Sequence, residues 1–243
     1  MTEPDAFVPV AAARRLVREA RTAALATLAR RTGHPFGSMV SVACEPDGTP
    51  LLLMSTLAAH SRNLAEDPRA SLLYVDPAAP DPQQGARVTV VGRVEKIAAP
   101  ADAERRYLAR LPEASLYAGF GDFAFFRLVV EDAHLVAGFG RAMRVRGEDL
   151  LLDLAGCAAL VAAEADLVAR LDADRPRLAA WAARIGAPVG EPHLIGLDPE
   201  GFDLSVASDE SRTYLRVVLP KSSVDPAEFE SALRHWEESV HLQ

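Results

Sequence analysis

Hydrophobic and polar positions alternate in short runs through the first 150 residues, and helical spacing is confined to a few segments. Strands are predicted over residues 22–28, 38–43, 51–55, 70–75, 87–97, 123–131 and 133–137. Helices are predicted over residues 9–20, 59–66 and 100–111. Many short strands with few helices between them favour a closed or half-closed antiparallel barrel over a doubly wound parallel sheet.

Turn residues sharpen two of these predictions. Residues 45–50 contain Asp47-Gly48 flanked by prolines, which predicts a β-hairpin between strands 38–43 and 51–55. Gly92 stands inside the run 87–97, and a glycine in a strand is typical of a β-bulge.

The pattern changes after about residue 153. Residues 157–183 are rich in alanine and predict two helices divided near residues 172–176, and further elements follow. These are three strands over 193–198, 201–207 and 213–219, and a closing helix over 226–240. Residues 157–243 hold 15 acidic and eight basic residues, so this part carries −7 of the total charge of −8. We therefore predict two domains, 1–153 and 154–243, the second a small α+β unit.

Composition narrows the class of protein. The chain has 243 residues, 49% of them hydrophobic and 25% charged, which is ordinary for a globular protein. A net charge of −8 makes nucleic-acid or anionic-membrane affinity unexpected. Neither a membrane-spanning apolar stretch nor a signal peptide is recognisable, so a cytoplasmic location is expected. Cys44 and Cys157 lack a CxxC context, and no zinc site or disulfide framework is predicted.

One segment combines groups that suit a phosphate. The hydroxyls of Ser55 and Thr56 follow a strand, and His60, Arg62 and Asn63 stand at the start of the predicted helix 59–66. A helix N-terminus offers unpaired N–H groups and the positive end of the dipole. The alternative is a helix whose first turn is polar and binds nothing.

Three stretches in this order resemble a known family. Residues 55–73 follow the pattern S-T-L-x-x-H-x-x-N-L-x-x-D-P-R-x-S-L-L, residues 134–142 contain G-F-G-x-A, and residues 36–40 precede the Asp-Gly hairpin. Together they are similar to the split-barrel flavoproteins related to pyridoxamine 5′-phosphate oxidase, most of all to the haem-utilisation (HugZ/HutZ-like) branch. The resemblance implies a mostly β, antiparallel FMN-binding split barrel followed by the α+β C-terminal domain of that branch.

The resemblance also implies a cofactor site at a homodimer interface, to which both copies contribute. There FMN would pass hydride or electrons between an electron donor and a small-molecule substrate. The isoalloxazine ring would lie against the backbone of Ser38, Met39 and Val40. The phosphate and ribityl end would be held by Ser55, Thr56, His60, Asn63 and Leu64.

The chain departs from the family at two places. Ala59-His60 stand where the vitamin-pathway oxidases carry an Arg-Lys pair, which removes a bidentate phosphate clamp. In the C-terminal domain, Arg170 and Arg175 replace the two histidines of a His-Met-Asn-x-Asp-His stretch. The first departure argues against the oxidase itself, and the second against a metal or haem role for that stretch.

Three hypotheses follow. The first is an FMN-dependent oxidoreductase, since the polar groups expected around the phosphate are present. The second is a haem-binding or haem-degrading protein, in which Arg141 would lie near the iron-bound ligand and His241 would supply the axial bond. The third is a dimeric binding module that has kept the barrel and lost its cofactor.

Overall fold

The computed structural model of the chain describes residues 8–77, 79, 81, 83–138, 141–208 and 211–239. The chain divides into two units, Met1–Leu152 and Asp153–Gln243. The strands of the first unit are β1 (Thr22–Leu28), β2 (Pro35–Cys44), β3 (Pro50–Ser55), β4 (Arg69–Val75), β5 (Ala86–Lys96), β6 (Phe123–Ala137) and β7 (Ala142–Arg146). Its helices are α1 (Pro9–Glu19), α2 (Ala59–Glu66), α3 (Ala101–Arg110), α4 (Ser115–Ala118) and α5 (Gly147–Leu150), with a 3₁₀ turn at Pro112–Ala114.

The first unit is an antiparallel barrel, as predicted. The strand order is β3-β2-β1-β4-β5-β6-β7, and a further pairing of β3 with β6 closes six of these strands. The predicted hairpin joins β2 to β3, where Val42 pairs with Leu52. Its turn holds Gly48 at a φ of +96°, which explains the glycine, and Asp47 accepts hydrogen bonds from the amide and hydroxyl of Thr49.

The two strands predicted over residues 123–131 and 133–137 are one continuous strand, β6. The register places Val91 opposite Asp132 and Gly92 opposite Val130, so Glu131 is an extra residue on β6. The polar pair Glu131-Asp132, which suggested a break, is therefore a β-bulge inside the strand. The bulge predicted from Gly92 is confirmed, because a Cβ at Gly92 would lie 2.0 Å from the carbonyl oxygen of Val129.

The barrel interior is filled by alternating residues of its strands and by α1. Leu25, Leu52, Leu72 and Leu128 are fully buried there, and α1 adds Ala13 and Val17. Strand β3 is buried on both faces, since Leu51 and Leu53 pack outside the barrel with Tyr107 of α3. A strand covered on both sides reads as a continuous apolar run, which is why Pro50–Ser55 shows no alternation.

The side chains that alternate away from the core form an outer face on β2, β1, β4, β5, β6 and β7. One cross-strand row of this face runs Met39, Ala24, Leu73, Thr89, His134, Arg144. Met39 is 69% exposed and Leu73 is 37% exposed. The residues of this row on β2, β1 and β4 are thus uncharged and accessible to solvent. Its charged residue, Arg144, lies beyond Thr89 and His134.

The second unit packs three helices with a three-stranded antiparallel sheet. Its elements are α6 (Ala158–Asp172), α7 (Arg175–Arg184), β8 (Glu191–Asp198), β9 (Gly201–Ala207), β10 (Arg212–Val218) and α8 (Pro226–Glu238). The strand order is β10-β9-β8. Trp181, Phe202 and Trp236 contact one another, with centroid separations of 4.9–6.2 Å, so Trp181 belongs to the core and the partly buried Trp236 packs against it.

Replacing Gly92 by alanine tests the role of the bulge. The added methyl group would meet backbone atoms of β6, which cannot rotate away, so Gly92→Ala should lower the melting temperature by about 5 °C or more. Thermal unfolding followed by circular dichroism measures this. The matched control is Gly196→Ala on β8, where a Cβ would meet nothing within 4 Å. Equal melting temperatures for the two variants would contradict this account of the bulge.

Candidate cofactor site at the end of the barrel

Ser38 and His60, which the sequence assigns to one site, lie together in the structure. The Oγ of Ser38 is 3.2 Å from the Nδ1 of His60. Burial lowers the pKa of His60 from its usual value of 6.5, so the ring is neutral at pH 7 and carries no charge toward an anion. Which of the two residues donates this hydrogen bond depends on the tautomer of the His60 ring.

Helix α2 offers main-chain donors beside this pair. Its N-cap residue is Ala58, and no side chain caps the helix N-terminus. The amides of the first turn therefore have no intrahelical or capping acceptor, which suits an anion.

Ser55 is engaged by a residue that the sequence did not suggest. Its hydroxyl donates to the Oδ2 of Asp122 at 2.5 Å and accepts from the amide of Leu57 at 3.1 Å. The amide of Thr56 donates to the carbonyl oxygen of Asp122 at 2.7 Å. The carboxylate of Asp122 thus stands at the corner where a phosphate was expected.

Asn63 and Leu64 face the protein. The buried amide of Asn63 donates to the Oγ1 of Thr27 at 3.0 Å and accepts from the main-chain amide of Arg30 at 3.2 Å. Leu64 and Val40 have their side chains in the barrel core. These three residues position α2 and β2, and a ligand could reach Val40 only through its backbone.

The remaining predicted residues lie on open surface. Thr56 and Arg141 are exposed, and Met39 belongs to the outer face. Arg141 directly precedes β7, and its carbonyl oxygen accepts a hydrogen bond from the amide of Ala137 at 2.9 Å. His241 lies outside the described residues, and so do Phe139 and Gly140 of the G-F-G segment.

An apolar rim adjoins the Ser55–Asp122 pair. Leu57, Leu116 and Phe120 are 70%, 78% and 58% exposed. Phe120 and Tyr117 both contact the ring of Phe123, the residue that follows Asp122. This end of the barrel therefore combines uncapped amides, one carboxylate and exposed hydrocarbon.

In the second unit, the two arginines that replace histidines make structural contacts. Arg170 pairs with Glu230. Arg175 donates to Glu191 at 2.9 Å and lies 3.3 Å from the Nδ1 of His193. Across the described part of the chain, no group of three or more histidine, cysteine or acidic side chains could hold a metal ion, and no helix is long and apolar enough to cross a membrane.

Barrel closure, the β2–β3 hairpin and the helix that follows β3 together define an antiparallel split-barrel protein. Residues 4–151 match the family described as CREG, beta-barrel. The chain belongs to this family.

Comparisons with individual proteins agree. The chain is 30% identical over 205 residues to the non-canonical haem oxygenase HOZ of Arabidopsis thaliana, a chloroplastic protein, covering 79% of this chain and 61% of that one. It thus spans less than two thirds of this relative. A solved structure from Agrobacterium tumefaciens, of unknown function, is 31% identical with a TM-score of 0.82, covering 97% of this chain and 98% of the other.

A haem-binding protein from Mycobacterium smegmatis is 29% identical over the full length of both chains, with a TM-score of 0.56. The resemblance to the haem-related split-barrel branch, inferred from the three sequence stretches, is confirmed by these comparisons.

Replacing Asp122 by asparagine tests the electrostatics of the corner. The change removes the negative charge held at the Ser55 hydroxyl, so affinity for inorganic phosphate and for FMN should rise about tenfold. Isothermal titration calorimetry measures both affinities. The control is Asp132→Asn, which removes a carboxylate from β6 at the outer face. An unchanged affinity in Asp122→Asn would show that this carboxylate does not oppose phosphate.

Proposed function

We propose that this chain is a haem-binding protein. The observation that carries the proposal is the hydrogen bond from Ser55 to Asp122. This bond engages the hydroxyl expected to hold the FMN phosphate, and the Asp122 carboxylate would repel a phosphate dianion bound at that hydroxyl. Neither Ala59 nor a neutral His60 supplies the charge that would offset this repulsion.

Two relatives support haem as the ligand. The HOZ protein is named as a haem oxygenase and the mycobacterial protein as haem-binding. The apolar rim of Leu57, Leu116 and Phe120 beside Asp122 offers hydrocarbon to a flat ligand. When bound, haem would supply an iron centre, and the protein would supply an axial ligand and an apolar surface.

FMN is the second candidate, favoured by the uncapped first turn of α2 and by the Ser38–His60 pair next to it. These groups could accept a phosphate once the Asp122 carboxylate is displaced. A cofactor-free binding module is the outcome if neither ligand binds.

Absorbance titration of the full chain separates these candidates. We expect haemin to give a sharp Soret band at micromolar concentration and FMN to bind at least about tenfold more weakly. Tight FMN binding with no Soret band would reverse the order of the two cofactors. Binding of neither would leave the cofactor-free module.

We also propose that the outer face is the contact between two copies of the chain. Its row Met39–Ala24–Leu73 on β2, β1 and β4 lacks charge, and the small residues Gly37, Ala24 and Ala26 would let a second sheet approach closely. Soluble monomers seldom leave such an apolar patch open. The small residues at this surface fit close packing better than a solvent-facing role.

Met39→Glu should convert a dimer into a monomer, because pairing the faces would then bury an unpaired charge. Light scattering after gel filtration gives the mass. Leu116→Glu is the control, since Leu116 is more exposed than Met39 but lies on α4. A monomeric wild-type chain, or a dimer that survives Met39→Glu, would contradict the proposal.

A further inference from the structure

The second unit contains a cavity of about 280 Å³ between helix α8 and the segment that joins this helix to β10. Its volume is close to the lower end of the range for small-molecule sites, about 300 Å³. All of its lining residues belong to the second unit, so the cavity is separate from the corner formed by Ser55 and Asp122. The polar residues that line it are Lys221, Ser222, Ser223, Glu228, Ser231 and His235.

Ser223 forms a fixed part of the cavity wall. Its amide donates to the carbonyl oxygen of Pro199 at 2.9 Å, and its carbonyl oxygen accepts from the Sγ of Cys157 at 3.8 Å. The residue is 1% exposed, and its hydroxyl has no hydrogen-bond partner among the described residues. Native proteins usually satisfy a buried hydroxyl, because leaving it unpaired is unfavourable. The unpaired group therefore indicates a ligand that accepts a hydrogen bond at this wall.

Two opposite charges line the same cavity without pairing. Lys221 makes no ion pair with any residue that the structure describes, and neither does Glu228. The Oε2 of Glu228 accepts a hydrogen bond from the amide of Val224 at 3.2 Å, which leaves its Oε1 available. The amide of Glu228 donates to the Oδ1 of Asp225, the N-cap of α8, at 2.8 Å. The carboxylate is therefore held in place at the first turn of the helix.

This pair of charges decides which class of ligand fits. A simple anion would be attracted by Lys221 and repelled by Glu228, and a simple cation would meet the reverse. The charge of −7 over residues 157–243 adds to the repulsion of an anion. A small zwitterion presents one group of each sign, so it can pair with both side chains at once.

We propose that this cavity binds a free α-amino acid. The carboxylate of the ligand accepts hydrogen bonds from the Lys221 ammonium and the Ser223 hydroxyl, and its ammonium donates to Glu228. The remaining hydroxyls of the lining and the ring of His235 suit a polar side chain. This binding role belongs to the second unit and does not depend on whether the barrel binds haem.

Isothermal titration calorimetry of the full chain with each standard L-amino acid tests the proposal. At least one of them should bind with a Kd of about 1 mM or tighter. The matched controls are the acid that lacks the amino group of this ligand and the amine that lacks its carboxyl group. Each should bind at least about tenfold more weakly, because it leaves one charge of the cavity unpaired. If no amino acid binds, or if either analogue binds as tightly as its parent, the proposal is overturned.

Substitutions assign the binding to this cavity. Lys221→Met and Glu228→Gln should each weaken it about tenfold, since each removes one charge, and the glutamine still offers an acceptor to Val224. Ser223→Ala should weaken binding a few-fold and raise the melting temperature of the ligand-free chain, because it deletes a buried, unpaired hydroxyl. Lys96→Met, which removes the other lysine of the chain, is the control and should bind as the wild type does. Wild-type affinity in Lys221→Met and Glu228→Gln would overturn the site.

Discussion

The barrel depends on one strand pairing with three others. Strand β6 pairs along one edge with β5, and along its other edge with β3 through residues 123–127 and with β7 through residues 132–136. Without the β3–β6 pairing the barrel would be an open sheet with two unpaired edges. The bulge at Glu131 lies between the two partners, where extra local twist lets the strand leave β3 and meet β7.

The same strand determines what the ends of the barrel can do. Asp122 directly precedes β6, and the pairing of Phe123 with Ser55 brings its carboxylate to the Ser55 hydroxyl. Toward the other end, the bulge moves His134 onto the outer face in register with Thr89 and Arg144. Closure of the barrel therefore determines that the Asp122 carboxylate lies against the Ser55 hydroxyl.

Local signals in the sequence were enough for much of the fold. The Asp47-Gly48 turn and Gly92 each require a particular backbone geometry, so the hairpin and the bulge could be predicted. The continuity of β6 could not, because Glu131-Asp132 resembles a break unless the opposite strand is known. Strand β7 was not predicted either, since it has only five residues and the sequence before it contains Gly138 and Gly140. The contact between Ser55 and Asp122 joins residues 67 positions apart and leaves no local pattern.

The family motif also gives less information about the identity of the cofactor than its residues suggest. Asn63 ties α2 to β1, and Leu64 fills the core, so both would be needed for folding whether or not a ligand is bound. A motif kept for such reasons cannot distinguish flavin from haem. Our proposal therefore depends on groups outside the motif core, namely the missing Arg-Lys pair and the carboxylate of Asp122. A fixed negative charge excludes a phosphate dianion more strongly than it affects a porphyrin held by its hydrocarbon ring and its iron. This is the electrostatic reason for proposing haem over FMN for a barrel whose sequence motif resembles that of FMN proteins.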